Sequence, residues 1–362
     1  MMRPFSLCLT TLLSLSVVAC APDAPSASSA QTAPVSSAST ASPTATGEQL
    51  SVVATTSVIG EFVRAVGGDR VAVQELVSAG GDAHTFAPSP QSVRTLAGSR
   101  ALFANGAGLE SWLEQATAAA PGVPVFRLAD ALPLHAAGEE GHQHAEEGHS
   151  PDEHGADEHA AEASAASTQV HAEHDHADHD HGPYDPHAWW DADLVAGYLD
   201  GVAAALSELD PAGAEAYRQN AQAYLAQVRE VDAYGKQQLA SIPAEQRRVV
   251  TSHGSLNYFA ERYGLDTVGA VIPGLSTERE PSAQELAALA QTMREHDVRV
   301  ILTENVISDR LAQALASESG AVVSPPIYTD ALGPAGSPGA SYLGALRHNI
   351  DTVAAALRGA AK

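Results

Sequence analysis

The stretch RVVTSHGSLNYFAERYGL, residues 248–265, contains the pattern on which the fold prediction depends. Residues 248–251 are rich in β-branched side chains and predict a buried strand, whereas residues 256–263 have the pattern of a helix. The short loop between them carries His253. A strand, a loop and a helix form the repeating unit of parallel sheets, in which ligands bind at the carboxyl ends of the strands.

The same alternation continues on both sides of this stretch. Strands are predicted at residues 50–56, 70–76, 101–104, 123–128, 298–302 and 321–323, and helices at 59–66, 89–98, 109–119, 282–295, 310–317 and 342–357. Two long helical patterns, residues 191–209 and 211–239, lie between the halves. We therefore expect an α/β fold with two parallel-rich lobes, at 49–188 and 246–362, joined by a long helical segment at 189–245.

The amino terminus predicts export. Arg3 precedes an apolar stretch, residues 5–19, which is shorter than the about 20 residues of a membrane-spanning helix and suits a signal peptide. The following VVAC resembles the lipobox of bacterial lipoproteins, which implies that Cys20 carries lipid and anchors the chain to a bacterial membrane outside the cytoplasm. An ordinary signal peptide with an incidental cysteine is the alternative. Residues 20–48, rich in Ala, Ser, Thr and Pro, predict a flexible tether.

Cysteine usage and charge exclude several classes of protein. The other cysteine, Cys8, lies inside the predicted leader, so the mature chain has no thiol for a disulfide, a thiolate metal site or a cysteine nucleophile. The net charge of -25 is the opposite of what a nucleic-acid-binding protein needs. Much of the acid lies between residues 139 and 185, and acidity alone is weak evidence for cation binding.

An insertion rich in histidine and acid interrupts the alternation at residues 135–184. It has no strong apolar periodicity, so we expect a disordered loop. Its imidazoles predict weak capture of several metal ions, and protonation near pH 6.5 should weaken that capture. A linker indifferent to metal is the alternative. The histidines assigned to this auxiliary loop are His142, His144, His149, His154, His159, His171, His174, His176, His179 and His181.

Four side chains outside the insertion form the candidate metal site. His84, His187 and His253 lie in loops beside predicted core elements, and Asp330 follows the strand at 321–323. Zinc takes imidazole and carboxylate ligands, usually four in a tetrahedron. Two residues would come from each lobe, so a bound ion would hold the lobes together. The alternative is that each is a surface or capping residue.

Other polar and aromatic residues have less specific interpretations. Glu304 falls at a strand end, where it could orient an imidazole or simply cap a helix. Trp189 and Trp190 are expected to pack in the core, and His296 and His348 are expected to be solvated.

Five motifs in order resemble the zinc/manganese solute-binding proteins of ABC importers, the ZnuA/TroA-like family. They are DAHTFAPSP, NGAGLESWL, DPHAWWD, TSHGSLNYFAERYGL and YTDALG, and the resemblance covers about residues 50–357. It implies two α/β lobes joined by a long rigid helix, a metal site in the cleft between them, and ligands at His84, His187, His253 and Asp330. Manganese members commonly have a carboxylate where this chain has His253, so the resemblance implies Zn²⁺, with Mn²⁺ the alternative.

The expected partners are the permease and ATPase of an importer and, through Cys20, membrane lipid; the protein itself is expected to be a monomer. One rival function is a zinc hydrolase, which would use three protein ligands and leave a position for water. Four candidate ligands and the lack of an HExxH motif argue against that. A zinc-buffering or adhesin lipoprotein without an importer is a second rival, which the sequence leaves open.

Overall fold

The computed structural model describes residues 49–137 and 183–360. The predicted leader and tether, Cys20 and the ten auxiliary-loop histidines lie outside the described residues, so the predictions about them stay predictions. In the part of the chain that is described, no helix is both long and apolar enough to cross a membrane.

The first sheet is formed by four parallel strands in the order β2-β1-β3-β4. The strands are β1 (Leu50–Ala54), β2 (Val71–Glu75), β3 (Leu102–Ala104) and β4 (Val125–Arg127). The helices beside them are α1 (Ser57–Gly67), α2 (Pro90–Ala97) and α3 (Leu113–Ala118). Most of β1 and all of β3 are buried, as expected for central strands with both faces covered. We call residues 49–137 and 183–188, which are built around this sheet, the first lobe.

Two long helices follow, α4 (Ala192–Leu209) and α5 (Ala214–Ala240). At 27 residues, α5 is about 40 Å long. It contacts the first lobe, where Asn220 donates a hydrogen bond to the Val66 carbonyl of α1 at 2.9 Å. Near its other end, α5 lies close to Ile350 and Tyr263 of the second half of the chain, since a Cβ on Gly235 would be only 2.6 Å and 2.7 Å from these side chains. The close contact is possible because Gly235 has no side chain. The connecting helix therefore packs against residues on both sides of it in the chain.

The second sheet repeats the strand order of the first, as β6-β5-β7-β8, again all parallel. The strands are β5 (Arg248–Thr251), β6 (Asp266–Ala270), β7 (Val300–Ile301) and β8 (Val322–Val323). The helices are α6 (Asn257–Tyr263), α7 (Ala283–Glu295), α8 (Arg310–Ser319) and α9 (Tyr342–Ala360). We call residues 246–360 the second lobe. Together these features confirm the predicted fold class, two parallel α/β lobes with a long connecting helix.

Some boundaries differ from the sequence prediction for local reasons. The helix expected at residues 109–119 begins only at Leu113, and the chain before it turns at Gly106, Ala107 and Gly108, which all have positive φ. The turn is held by the buried Glu110, whose carboxylate accepts hydrogen bonds from the backbone N–H groups of Asn105 and Gly106 at 2.8 and 3.0 Å. Pro211 begins a 3₁₀ turn, and α5 starts three residues later.

Candidate metal centre

His84 lies in the loop between β2 and α2 and is almost completely buried. Its backbone N–H donates to Oδ1 of Asp82 at 2.8 Å. The preceding residue is also fixed, because the indole of Trp112 donates to the Ala83 carbonyl at 2.8 Å. The loop is therefore held through its backbone, and this directs the His84 ring toward the space between the lobes.

His187 follows the point where the insertion returns to the fold. The two ends of the insertion meet in an antiparallel bridge between Ala136 and Tyr184. Oδ1 of Asp185 then accepts from the His187 backbone N–H at 3.0 Å and lies 2.8 Å from the ring Nδ1. The other oxygen of Asp185 accepts from Asn257 of the second lobe at 3.0 Å. One carboxylate thus orients His187 and also joins the two lobes.

His253 lies two residues after the last residue of β5, at the carboxyl end of a central strand. Oε1 of Glu304, which follows β7, accepts from the His253 backbone N–H at 3.1 Å, and Oε2 lies 2.9 Å from the ring Nδ1. Oε2 also accepts from the Thr329 hydroxyl at 2.7 Å. Of the two interpretations of Glu304, the contacts fit the imidazole-orienting one.

Asp330 completes the cluster from the loop after β8. Its oxygens lie 3.5 Å from Nε2 of His84, 3.5 Å from Nε2 of His187 and 3.3 Å from Nε2 of His253. One potential ligand atom from each of the four residues lies within 4.8 Å of the others, and all four residues are buried. The structure therefore brings together the four predicted ligand residues.

Several polar atoms of the cluster lack an ordinary partner. Nε2 of His253 and both carboxylate oxygens of Asp330 are buried and accept or donate no hydrogen bond among the described residues. Buried polar atoms left in this way are costly in free energy unless something else pairs with them. A divalent cation at the centre of the four residues would pair with these atoms, so the donor set fits a metal ion.

The charge balance of the cluster points in the same direction. Burial by itself would lower the pKa of His253, but the neighbouring Glu304 and Asp330 carboxylates outweigh it and raise that pKa well above its ordinary value. Burial would raise the pKa of Asp330, and His253 outweighs it, so this pKa lies well below the ordinary value. Asp185 behaves similarly beside His187. Three carboxylates gathered around three imidazoles leave an excess of negative charge that a cation can offset.

The remaining predicted residues are outside the four-residue cluster, although the Trp189 ring packs edge-on against the His187 ring at 5.3 Å between centroids. Trp189 and Trp190 are buried in the core, and the Trp189 indole donates to the Thr329 carbonyl at 3.1 Å. His296 is exposed at the end of α7, and His348 lies 3.1 Å from the Pro326 carbonyl.

Sequence reasoning missed the roles of Asp185 and Asn257 in holding His187. The available signal was local, because Asp185 stands two residues before His187 in the motif DPH, a spacing that lets a carboxylate accept from the backbone N–H two residues on. The sequence held no comparable signal for Asn257, which reaches Asp185 from the other lobe.

Comparison with known proteins agrees with this geometry. Residues 52–356 match the family model described as ZnuA, zinc-uptake complex component A, periplasmic. The manganese-binding lipoprotein MntA of Halalkalibacterium halodurans is 29% identical over 86% of this chain and 89% of its own length. The iron-binding protein YfeA of Yersinia pestis is 27% identical over 86% and 88%.

Solved structures show the same architecture. The periplasmic zinc-binding protein TroA of Treponema pallidum superposes with a TM-score of 0.68 at 26% identity, over 86% of this chain and 99% of that one. Members of the family are metal-binding components of ABC transport systems rather than enzymes, and they work with a permease and an ATPase. The two-lobed fold, the buried His/Asp cluster and the family match over most of the chain lead to one conclusion: the protein belongs to the ZnuA family of metal substrate-binding proteins.

Proposed function

We propose that this chain is an extracytoplasmic substrate-binding lipoprotein that captures Zn²⁺ and delivers it to an ABC importer. The observation that carries the proposal is the convergence of His84, His187, His253 and Asp330 on one buried point. The ligands come from both lobes, so an ion bound there would have no route to solvent unless the lobes or their loops move apart.

The chemistry of the donors favours zinc. Three imidazole nitrogens and one carboxylate are a common tetrahedral set for Zn²⁺. The carboxylates on Nδ1 of His187 and His253 favour the tautomer whose Nε2 lone pair faces the centre, so two ligands are oriented before an ion arrives. A neutral imidazole at position 253 is a softer ligand than the carboxylate that a hard ion prefers.

Manganese is the second candidate, and a specific observation favours it. Both oxygens of Asp330 are buried without a hydrogen-bond partner among the described residues, so both could bind one ion and raise its coordination number above four. Mn²⁺ accepts such higher coordination more readily than Zn²⁺ does. The names of several relatives, among them the manganese-binding MntA, agree with this alternative.

We further propose that the lipid on Cys20 keeps the protein at the membrane surface as a monomer. The histidine-rich insertion would raise the local concentration of zinc near the main site. The insertion begins and ends beside Asp185, whose backbone N–H donates to the His135 carbonyl at 2.9 Å. Ions captured by the insertion would therefore be released close to His187.

The deciding experiment is a competitive Zn²⁺/Mn²⁺ titration of a variant in which residues 139–181 are replaced by a short Gly-Ser linker. This deletion keeps the bridge between Ala136 and Tyr184 and removes the weak sites. We expect one tight Zn²⁺ per chain, with Mn²⁺ displaced by Zn²⁺. Tighter binding of Mn²⁺ would establish the second candidate, and loss of the tight site would reverse the roles given to the insertion and the cluster.

Transport needs a separate measurement, because a zinc-buffering lipoprotein would bind in the same way. We expect zinc-limited cells that lack this protein to grow poorly, and the chain to restore growth only when the permease is present. Restoration without the permease would favour a buffering role.

A further inference from the structure

Polar side chains of the first lobe lie on both sides of the His84 backbone, and one of them, Asp82, holds it. Oδ1 of Asp82 accepts from its N–H at 2.8 Å, and the hydroxyl of Ser111 lies 3.4 Å from its carbonyl oxygen. No such pair holds the ring: among the described residues, Asp330 is the only carboxylate within 4 Å of the His84 imidazole. The position of this ring therefore depends on the position of its backbone.

The two side chains beside the His84 backbone also contact adjacent residues of the second lobe. The hydroxyl of Thr277 donates to Oδ2 of Asp82 at 2.6 Å. The hydroxyl of Ser111 lies 3.1 Å from Oε1 of Glu278, and its single proton is donated either there or to the His84 carbonyl. The Asp82 carboxylate, which holds the His84 backbone, is thus itself held from across the cleft.

Residues 272–278, which we call the strap, continue from there to the loop of His253. Ile272 N–H donates to the Ser252 carbonyl at 2.8 Å, and Gly254 N–H donates to the Gly274 carbonyl at 2.9 Å. A Cβ on Gly254 would lie 2.9 Å from that same carbonyl oxygen, so the strap and the His253 loop are in close contact. Gly274 has a φ of +99°, which permits the turn that directs the strap back across the cleft.

We propose that the strap controls how fast the metal ion enters and leaves, and that Thr277 is a positioning residue acting on His84 through Asp82. The proposal rests on the proposed function, since it needs an ion bound at the four-residue cluster. The strap contacts one histidine loop in each lobe, at Gly254 and at Asp82, so the lobes cannot separate at His84 until the hydrogen bond between Thr277 and Asp82 breaks. This hydrogen bond has to break for both entry and exit of the ion. Weakening it therefore accelerates both steps and changes the equilibrium affinity much less.

The experiment uses the full chain loaded with Co²⁺, whose visible absorption reports the coordination geometry, and with Zn²⁺. Release into excess EDTA and capture of free ion are followed by stopped flow for the wild type, Thr277→Ala, Thr277→Ser and the control Thr292→Ala. Thr292 lies on α7 and donates to the Ala288 carbonyl within its own helix, so its loss leaves the cleft untouched. Calorimetry gives the affinity of each variant.

We expect release and capture to be about tenfold faster in Thr277→Ala, the effect of losing one hydrogen bond to a charged acceptor. The Co²⁺ spectrum and the dissociation constant should stay close to those of the wild type. Thr277→Ser, which keeps the hydroxyl, and Thr292→Ala should behave like the wild type. In an Asp82→Ala background, Thr277→Ala should have no further effect, because the partner of its hydroxyl is gone.

Two failures are distinguishable. If the wild type binds no ion tightly, the proposed function is overturned and the strap proposal with it. If the wild type binds tightly but Thr277→Ala exchanges metal at the same rate, or Thr277→Ser is as fast as Thr277→Ala, the strap proposal alone is wrong. A weaker affinity with an altered Co²⁺ spectrum would also overturn it, since that result indicates damage to the site instead of faster opening.

Discussion

His187 and His253 are held in one way and His84 in another. A single carboxylate contacts both the backbone N–H and the ring Nδ1 of His187, and Glu304 does the same for His253. Asp82 contacts only the backbone N–H of His84. Two of the three imidazoles are therefore oriented by a direct contact to the ring, whereas the third is positioned through its main chain.

This difference separates two tasks within one site. Imidazoles with a carboxylate on Nδ1 keep one tautomer and one orientation, which favours affinity and selectivity. An imidazole positioned through its backbone can move with its loop, and that loop is the one that the second lobe contacts through Thr277. We infer that His187 and His253 form the fixed part of the site and that His84 is the ligand whose movement admits and releases the ion.

The largest effect is expected from Asp330→Ala, which removes the residue that all three imidazoles share. The loss of one of the four proposed ligands, and the only anionic one, should weaken Zn²⁺ binding by about a thousandfold or more. Competition against a chromophoric chelator measures this change. Asp309→Ala is the matched control, because Asp309 is exposed and its loss changes the net charge equally. Equal affinities in the two variants would remove Asp330 from the ligand set.

The comparison between the histidines is tested by amide substitutions of their three carboxylates. Glu304→Gln and Asp185→Asn should each lower the affinity for Zn²⁺ by about 10–100-fold, because a neutral amide is a weaker acceptor than a carboxylate for the ring Nδ1–H and removes a negative charge beside the imidazole. Asp82→Asn keeps an oxygen for the His84 N–H and should change the affinity by less than about threefold. Calorimetry on the three variants gives the ranking. If Asp82→Asn is as damaging as the other two, His84 is held like its neighbours and the division into fixed and movable ligands fails.

The sequence predicted the four candidate ligand residues, because their positions depend on local patterns of residues. His84, His187 and His253 stood in loops beside predicted strands or helices, so the βαβ pattern was enough to expect them at one edge of each sheet. Asp330 was found because its loop followed the last strand in the same way. Those positions depend on short-range order in the chain, and this is the information that a single sequence carries best.

The contacts between lobes were not predictable from the same patterns. Asn257 reaches Asp185 across 72 positions, and Thr277 reaches Asp82 across 195. Polar residues of these types occur in many loops for purely local reasons, such as turns and caps. Only the packing of the two lobes along α5 shows that these particular side chains meet.

The smallest effect on metal binding is expected behind the site, where Arg262 of α6 joins the elements that follow the two fixed histidines. Its guanidinium donates to Asp232 of α5 at 2.8 Å and to Asp191, which caps α4 just after His187, also at 2.8 Å. Burial would raise the pKa of Asp232, but Arg262 outweighs it and holds that pKa below the ordinary value. Because its pKa is lower in the folded state, this carboxylate contributes its full stabilisation at pH values above its unfolded-state pKa of about 3.9. The stabilisation is lost as the pH falls through the lower folded-state pKa.

Asp232→Asn should therefore lower the free energy of unfolding by about 2 kcal/mol at pH 7, as expected for a partly buried hydrogen bond between charged groups. The difference from the wild type should shrink as the pH falls below about 4, where the wild-type carboxylate also becomes protonated. Urea unfolding at several pH values measures this difference, and the affinity for Zn²⁺ at pH 7 should stay within about twofold of the wild type. A large loss of affinity would contradict this expectation. It would show that the orientation of His187 and His253 also depends on the contacts of Arg262 that join α4, α5 and α6.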